Sequence, residues 1–272
     1  MKGFVDIELK KEKNSKTVIK NLLVKPPLLI QKAMYPDASN PNTAHLYIMS
    51  SAGGILQGDK LQIKIKALEN SNAIITTQSA TKIYNTENHI PSQTIDIQVE
   101  KNSYLEFLPK QIIPHKYAEF YQKVNLKVDQ SSTLIYSETI SCGRIAHGEE
   151  FDFKSLVFRT QAINEKDQVL FSDAMNIEPH NRKQVFENLY GKKKIFSTLY
   201  IISKQFDNEK LDTKINSLLK KSQIIGGISQ LPNNSGAIVR MLSDSIDEIE
   251  KTILNITNIV KLEKSSIIKV KN

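Results

Sequence analysis

One cysteine, Cys142, stands among 272 residues, and there is no tryptophan. A lone thiol excludes an intrachain disulfide framework, so the core alone must hold the fold. It also excludes the paired-cysteine spacings of zinc sites, and none of the five histidines lies in an HxH or HExxH setting. The missing tryptophan counts against a sugar-stacking site. No stretch approaches the roughly 20 apolar residues of a membrane span, and the opening MKGFVDIELKKEKNSK has no apolar leader. These absences lead us to expect a cytoplasmic chain with no membrane partner. Arginine is scarce as well: four of the 37 basic residues are Arg.

The net charge of +8 is carried by dispersed lysines, with one tight group at Lys192-Lys193-Lys194. Nucleic-acid readers more often gather basic residues on one element and interleave exposed aromatics. A solvated lysine-rich surface suited to acidic protein partners is the preferred reading. A basic β-rich nucleic-acid-binding protein is the alternative.

What is present is strand pattern. The chain is organised around residues 50–84, SSAGGILQGDKLQIKIKALENSNAIITTQSATKIY. Leu61, Ile63, Ile65 and Ala67 share one parity against Gln62, Lys64 and Lys66, the period of a half-buried strand. Gly53 and Gly58 have the spacing of a phosphate loop, but Asp59 follows where that motif needs Lys, and a strand follows where it needs a helix. The glycines are therefore expected to supply positive φ or close strand approach. Alternation recurs at 4–9, 94–100 and 124–128, and further strands are expected at 17–24, 45–49, 73–77, 104–108, 134–140, 151–160, 226–230 and 237–242. Close spacing without intervening helical pattern predicts antiparallel all-β structure. Helical period appears only in the C-terminal third. There Leu211, Ile215, Leu218 and Leu219 form one stripe, and Ile246, Ile249, Ile253 and Ile256 a second behind the capping box 245–248. No linker or repeat breaks the chain, so residues 1–272 read as one domain.

No catalytic signature is present: there is no Gly-x-Ser-x-Gly elbow, and Cys142 beside Gly143 reads as a small buried residue. Carboxylates in apolar context are more informative. Glu138 shares parity with Leu134, Tyr136 and Ile140 and is expected inside, where a carboxylate needs a partner or a cation. Arg144 is the expected partner, making a structural salt bridge the first reading and a metal's route the second. Glu149 and Glu178 read first as turn acids. Thr77 and Ser79 read as backbone-bonding residues at a strand end.

GGILQGDKL with TTQSATKIY closely resembles the UreD (in some bacteria UreH) family of urease accessory proteins. The likeness continues through LEFLP at 105–109 with Ile113-Pro114, through Glu138 with Gly143-Arg144 and Gly148-Glu149, and through GAIVR at 236–240. Lys110 departs from it, standing where an acidic residue is expected. The resemblance implies a mainly β fold of layered sheets in a β-helix-like arrangement with two C-terminal helices. It implies a non-catalytic maturation chaperone that binds the urease apoenzyme and UreF and, through UreF, the GTPase UreG. Nickel(II) would be transient cargo, with no tightly bound cofactor. Asp59, Glu138, Glu149 and Glu178 become candidates for its passage, supported by Thr77, Ser79 and Arg144.

Overall fold

A computed structural model describes the chain except residues 14, 180–183, 186, 187, 189, 271 and 272 and the side chains of 265–270. His180 thus lies outside the described residues. The strands are β1 (Lys2–Lys11), β2 (Thr17–Lys25), β3 (Leu28–Ile30), β4 (Ala44–Ser50), β5 (Lys60–Ala67), β6 (Asn72–Thr77), β7 (Thr81–Ile83), β8 (Ser92–Val99) and β9 (Tyr104–Leu108). They continue as β10 (Ile112–Pro114), β11 (Glu119–Val128), β12 (Thr133–Ser141), β13 (Ser155–Ile163), β14 (Val169–Ile177) and β15 (Ile195–Ile202). Helix α1 (Asn208–Lys221), β16 (Ile225–Gln230), β17 (Gly236–Ser243) and helix α2 (Ile246–Val270) follow.

Two sheets face one another. The seven-stranded sheet runs β14-β13-β11-β8-β5-β1-β2, and the ten-stranded sheet runs β16-β17-β15-β12-β9-β6-β4-β3, with β7 and β10 beside it. From β4 to β13 the longer strands alternate between the sheets. Neighbours within each sheet are therefore one coil apart in sequence and parallel: β5 with β8, β8 with β11, β6 with β9, β9 with β12. This β-solenoid-like winding corrects the antiparallel expectation. Parallel pairing needs a long crossover, and here the crossover is a strand of the opposite sheet rather than a helix. Antiparallel pairs close the ends, as in β1 with β2 and β13 with β14.

Along β1, β4, β5, β8, β11 and β13 alternation puts one face into the core. Ile63, Ile95, Val124 and Leu156 are buried with Ile75, Phe107 and Tyr136 of the facing sheet. Phe107, Tyr136 and Tyr200 stack along the ten-stranded sheet with centroids 5.9 Å apart at each step, and Phe171 continues the stack at 5.5 Å. At one corner the coils are joined by serines. Ser103 Oγ accepts from Ser71 N at 3.2 Å, and Ser132 Oγ from Ser103 N at 3.1 Å. All three are fully buried, and the Ser71 hydroxyl donates to the Leu9 carbonyl at 3.3 Å, so the corner's polar groups are paired from coil to coil.

The two helical stripes cover the outer face of the ten-stranded sheet: Leu211, Ile215, Leu219, Ile249, Ile253 and Ile256 pack with Leu199, Val239 and Met241. Asp207 caps α1 by accepting from Glu209 N and Lys210 N, and Ser245 Oγ accepts from Glu248 N at 3.4 Å before α2. The start of β13 falls later than the expected 151. β13 begins at Ser155 because Phe151 takes a positive φ of 56° and donates its N–H to the Cys142 carbonyl, turning 151–154 out of the sheet.

Candidate functional site

The glycine-rich turn leads into β5 as expected, and its glycines act in two ways. Gly58 has φ +74°, and a Cβ on Gly54 would lie 2.6 Å from Tyr84 Cε2 and 2.7 Å from the Lys82 carbonyl. Asp59 holds the turn closed by accepting from Leu56 N at 2.9 Å. Its other oxygen meets the α-ammonium of Met1.

Behind this turn a cavity of about 380 Å³ opens between the two sheets, and Asp59, Thr77, Ser79 and Glu138 all line it. Thr77 sits at the end of β6, where its hydroxyl donates to the Ser79 carbonyl at 3.1 Å and accepts from Lys110 N at 2.9 Å. Lys110 also lines the cavity, and its ammonium reaches Glu250 of α2 at 2.7 Å. A lysine in place of the expected acid therefore brings no uncompensated positive charge to the wall.

Glu138 is inside, 4 % exposed, but its partners are not those expected. Gln122 Nε2 donates to Oε1 at 3.1 Å, Tyr136 Oη at 3.0 Å and Thr160 Oγ1 at 3.1 Å. Arg144 lies beyond the end of β12 and pairs with Glu149 instead, Nε to Oε2 at 2.8 Å. The correction follows from topology: the strand carries Glu138 into the inter-sheet space, whereas the turn after Ser141 carries Arg144 out of it. Burial pushes the Glu138 carboxyl up to about 6, although the three donors pull the other way. Such a carboxylate is ionised at neutral pH and incompletely neutralised.

Glu138 also borders a second cavity of about 140 Å³, lined by Thr160, Asp173, Thr198, Tyr200 and Arg240. Asp173 Oδ2 accepts from Tyr200 Oη at 2.8 Å, and the Arg240 guanidinium donates to both of its oxygens at 3.0 and 2.8 Å. Desolvation raises the Asp173 carboxyl, but these bonds and the guanidinium charge hold it below the ordinary range. Asp59, Glu138 and Asp173 thus mark a polar line between otherwise apolar sheets. Glu138 stands in the wall common to both cavities.

The remaining candidates fall elsewhere. Glu149 is held by Arg144 and by Lys116 N at 3.1 Å, and it lines neither cavity. Glu178 is exposed and accepts from Asn176 Nδ2 at 2.8 Å. Among the described residues no group of three or more His, Cys, Asp or Glu side chains is gathered as a metal cage. Gln122, Thr160, Asp173 and Arg240 were not anticipated. Gln122 shares parity with Phe120 and Val124, and Thr160 with Phe158 and Ala162, the same signal that placed Glu138 inside.

Fold and site define a class: a two-sheet solenoid-like protein with its polar groups strung through the inter-sheet space. The family model described as UreD urease accessory protein matches residues 1–267. Among curated relatives, a urease accessory protein UreD of Cenarchaeum symbiosum is 32% identical over 260 residues, covering 95% of this chain and 91% of the relative. A UreD 2 of Brucella canis is 31% identical over 254 residues, covering 92% and 84%. A UreD of Photorhabdus laumondii is 28% identical over 244 residues, covering 89% and 76%. The chain belongs to the UreD family of urease accessory proteins.

Proposed function

We propose that this urease accessory protein is a non-catalytic maturation scaffold that passes nickel(II), as cargo, between its two sheets toward the urease apoenzyme. The observation that carries the reading is the position of Glu138, a buried carboxylate shared by both cavities. Asp59 stands on one side of it and Asp173 on the other. A buried carboxylate with hydrogen bonds to one oxygen attracts a hydrated divalent cation, because the cation offsets its desolvation. Oxygen ligands met one at a time hold nickel weakly, whereas a cage of thiolates and imidazoles would retain it. Thr77 and Ser79 offer hydroxyls beside the entrance turn. Glu149, Arg144 and Glu178 have no part in this route.

In this reading the partners are UreF, the GTPase UreG reached through UreF, and apo-urease, all in the cytoplasm. The test is co-expression with those three proteins from the same genome, followed by pull-down and nickel analysis of the urease. Wild-type protein is expected to co-purify with them and to yield loaded urease. Glu138→Gln is expected to co-purify equally but to lower the nickel content severalfold. Unchanged loading with Glu138→Gln would remove the passage, and failure of wild-type protein to retain any of the three would remove the scaffold.

A further inference from the structure

Four strands end the two sheets: β2 and β14 the seven-stranded one, β3 and β16 the ten-stranded one. A free strand edge is a template for pairing with another chain, and folds ordinarily blunt it with charge, proline, a bulge or shortness. Three of the four edges follow that rule. β2 carries Lys20 and Lys25, and its pairing with β1 is bulged at Glu8 and Leu9. β14 is bulged against β13 at Ala162 and Ile163 and turns Asp173 inward onto Arg240. β3 is three residues long and follows Pro26-Pro27.

β16 has none of these devices. Its six residues, IGGISQ, hold no charge and no proline, and its pairing with β17 runs without a bulge. Residues 222–239 are uncharged throughout. Which backbone groups point outward follows from the register. Leu231 N donates to the Gly236 carbonyl at 2.8 Å, so Ser229 with Ile238, Gly227 with Arg240 and Ile225 with Leu242 are the pairs that exchange bonds with β17. The N–H and C=O groups of Gly226, Ile228 and Gln230 therefore face away from the sheet, and among the described residues none of them has a partner. Ile225, at the start of the edge, is 54 % exposed.

We propose that β16 is a docking edge, on which an extended segment of another protein adds as a further strand of the ten-stranded sheet. That segment is uncharged where it pairs, because nothing from 222 to 239 could neutralise a charge there. It is apolar on the side that meets Ile228 and Leu218 of α1, which are half-buried at the margin of the helical core. A second copy of this chain does not fit. α1 lies directly on β16, and α2 on β17 and β15. Two copies paired edge to edge would bring both α1 helices into the same space, whereas a lone strand brings no helix with it. The inference rests on the scaffold reading, since it says how such a scaffold grips a partner.

The test is hydrogen exchange, read by mass spectrometry, on the full-length chain alone and in the complex co-purified with UreF, UreG and apo-urease. The amides of Gly226, Ile228 and Gln230 are expected to exchange rapidly in the free protein and to be protected in the complex. Gln230→Pro removes an outward donor and no bond to β17. Gly227→Lys sets a guarding charge where a Cβ meets nothing within 4 Å. Both variants are expected to keep the wild-type Tm and to weaken retention of the partner held at this edge about tenfold. An intact complex with those amides still exchanging rapidly would overturn this inference alone, as would undiminished retention of every partner by both variants. Protection that appears in the free protein as its concentration rises would assign the edge to a second copy and overturn it too. Failure of wild-type protein to retain any of the three would remove the scaffold reading, and this one with it.

Discussion

Thr160 on β13 donates to Glu138 on β12 at 3.1 Å, and the bond crosses from one sheet to the other. Gln122 of β11 makes a second such crossing at 3.1 Å. Glu138 is therefore both a charge in the core and a fastening between layers, and substitutions can separate these roles.

Glu138→Gln keeps an acceptor for the three donors and removes the charge. The folded carboxyl titrates near 6 against an ordinary 4.5. A raised acid destabilises the fold only where it is ionised, so the penalty is absent below about pH 4.5, grows as pH rises through 6 and is complete above. At pH 7.5 the variant is expected to be more stable by about 2 kcal/mol, and to match wild type at pH 4. Urea denaturation at both pH values checks this. Glu138→Ala, which removes the shared acceptor of three buried donors and leaves Gln122 only its bond to Tyr136 Oη at 3.3 Å, is expected to be less stable at either.

Asp59→Asn preserves an acceptor for Leu56 N and so should leave the turn closed. Under the nickel reading it is expected to lower urease loading with the complex intact. Equal loading by Asp59→Asn and wild type would take Asp59 off the route.

Arg144→Ala should leave loading unchanged. Its pair with Glu149 depresses the Glu149 carboxyl, first through their hydrogen bond. Stability from a depressed acid is present above its ordinary pKa and is lost as pH falls through the folded one. The variant is expected to show a small Tm deficit at pH 7 that disappears in acid. Loss of nickel loading here, with the fold intact, would reinstate Arg144 as a site residue.

The glycines of the entrance turn should differ in tolerance. Gly54→Ala drives a Cβ into Tyr84 and the Lys82 carbonyl, and is expected to cost about 2 kcal/mol. Gly58→Ala meets only His89 Cβ, at 3.6 Å, and suffers its positive φ alone. It is expected to cost about 1 kcal/mol, and Gly58→Asn less. Thermal melts of the three variants rank them.

Much of this was legible because alternation reports which way a side chain faces. It placed Glu138 inside, as the helical period placed Leu211 and Ile249 on their buried stripes. Alternation does not report which strand lies alongside, so Ile63 gave no sign that its neighbour is Ile95, one coil later. The repeat that would have disclosed the winding is faint, a single buried serine per coil at Ser71, Ser103 and Ser132. Strands β14 and β15 were not read, and with them Asp173 went unnoticed. Arg240 lay on an expected strand, but its carboxylate partner was the missing piece. The assignment of Arg144 to Glu138 failed because nearness in sequence was taken for nearness in space across a turn.

The serine-joined corners make the molecule a stack of interchangeable storeys. Each coil adds one strand to each sheet, a step of about 4.8 Å. The span from Asp59 on the β5 side to Asp173 on β14 is therefore set by how many storeys separate them rather than by any side chain. Excising the storey of β8 and β9 would bring β5 against β11 and β6 against β12, all parallel already. The interior would shorten by one fixed increment, with both end caps untouched.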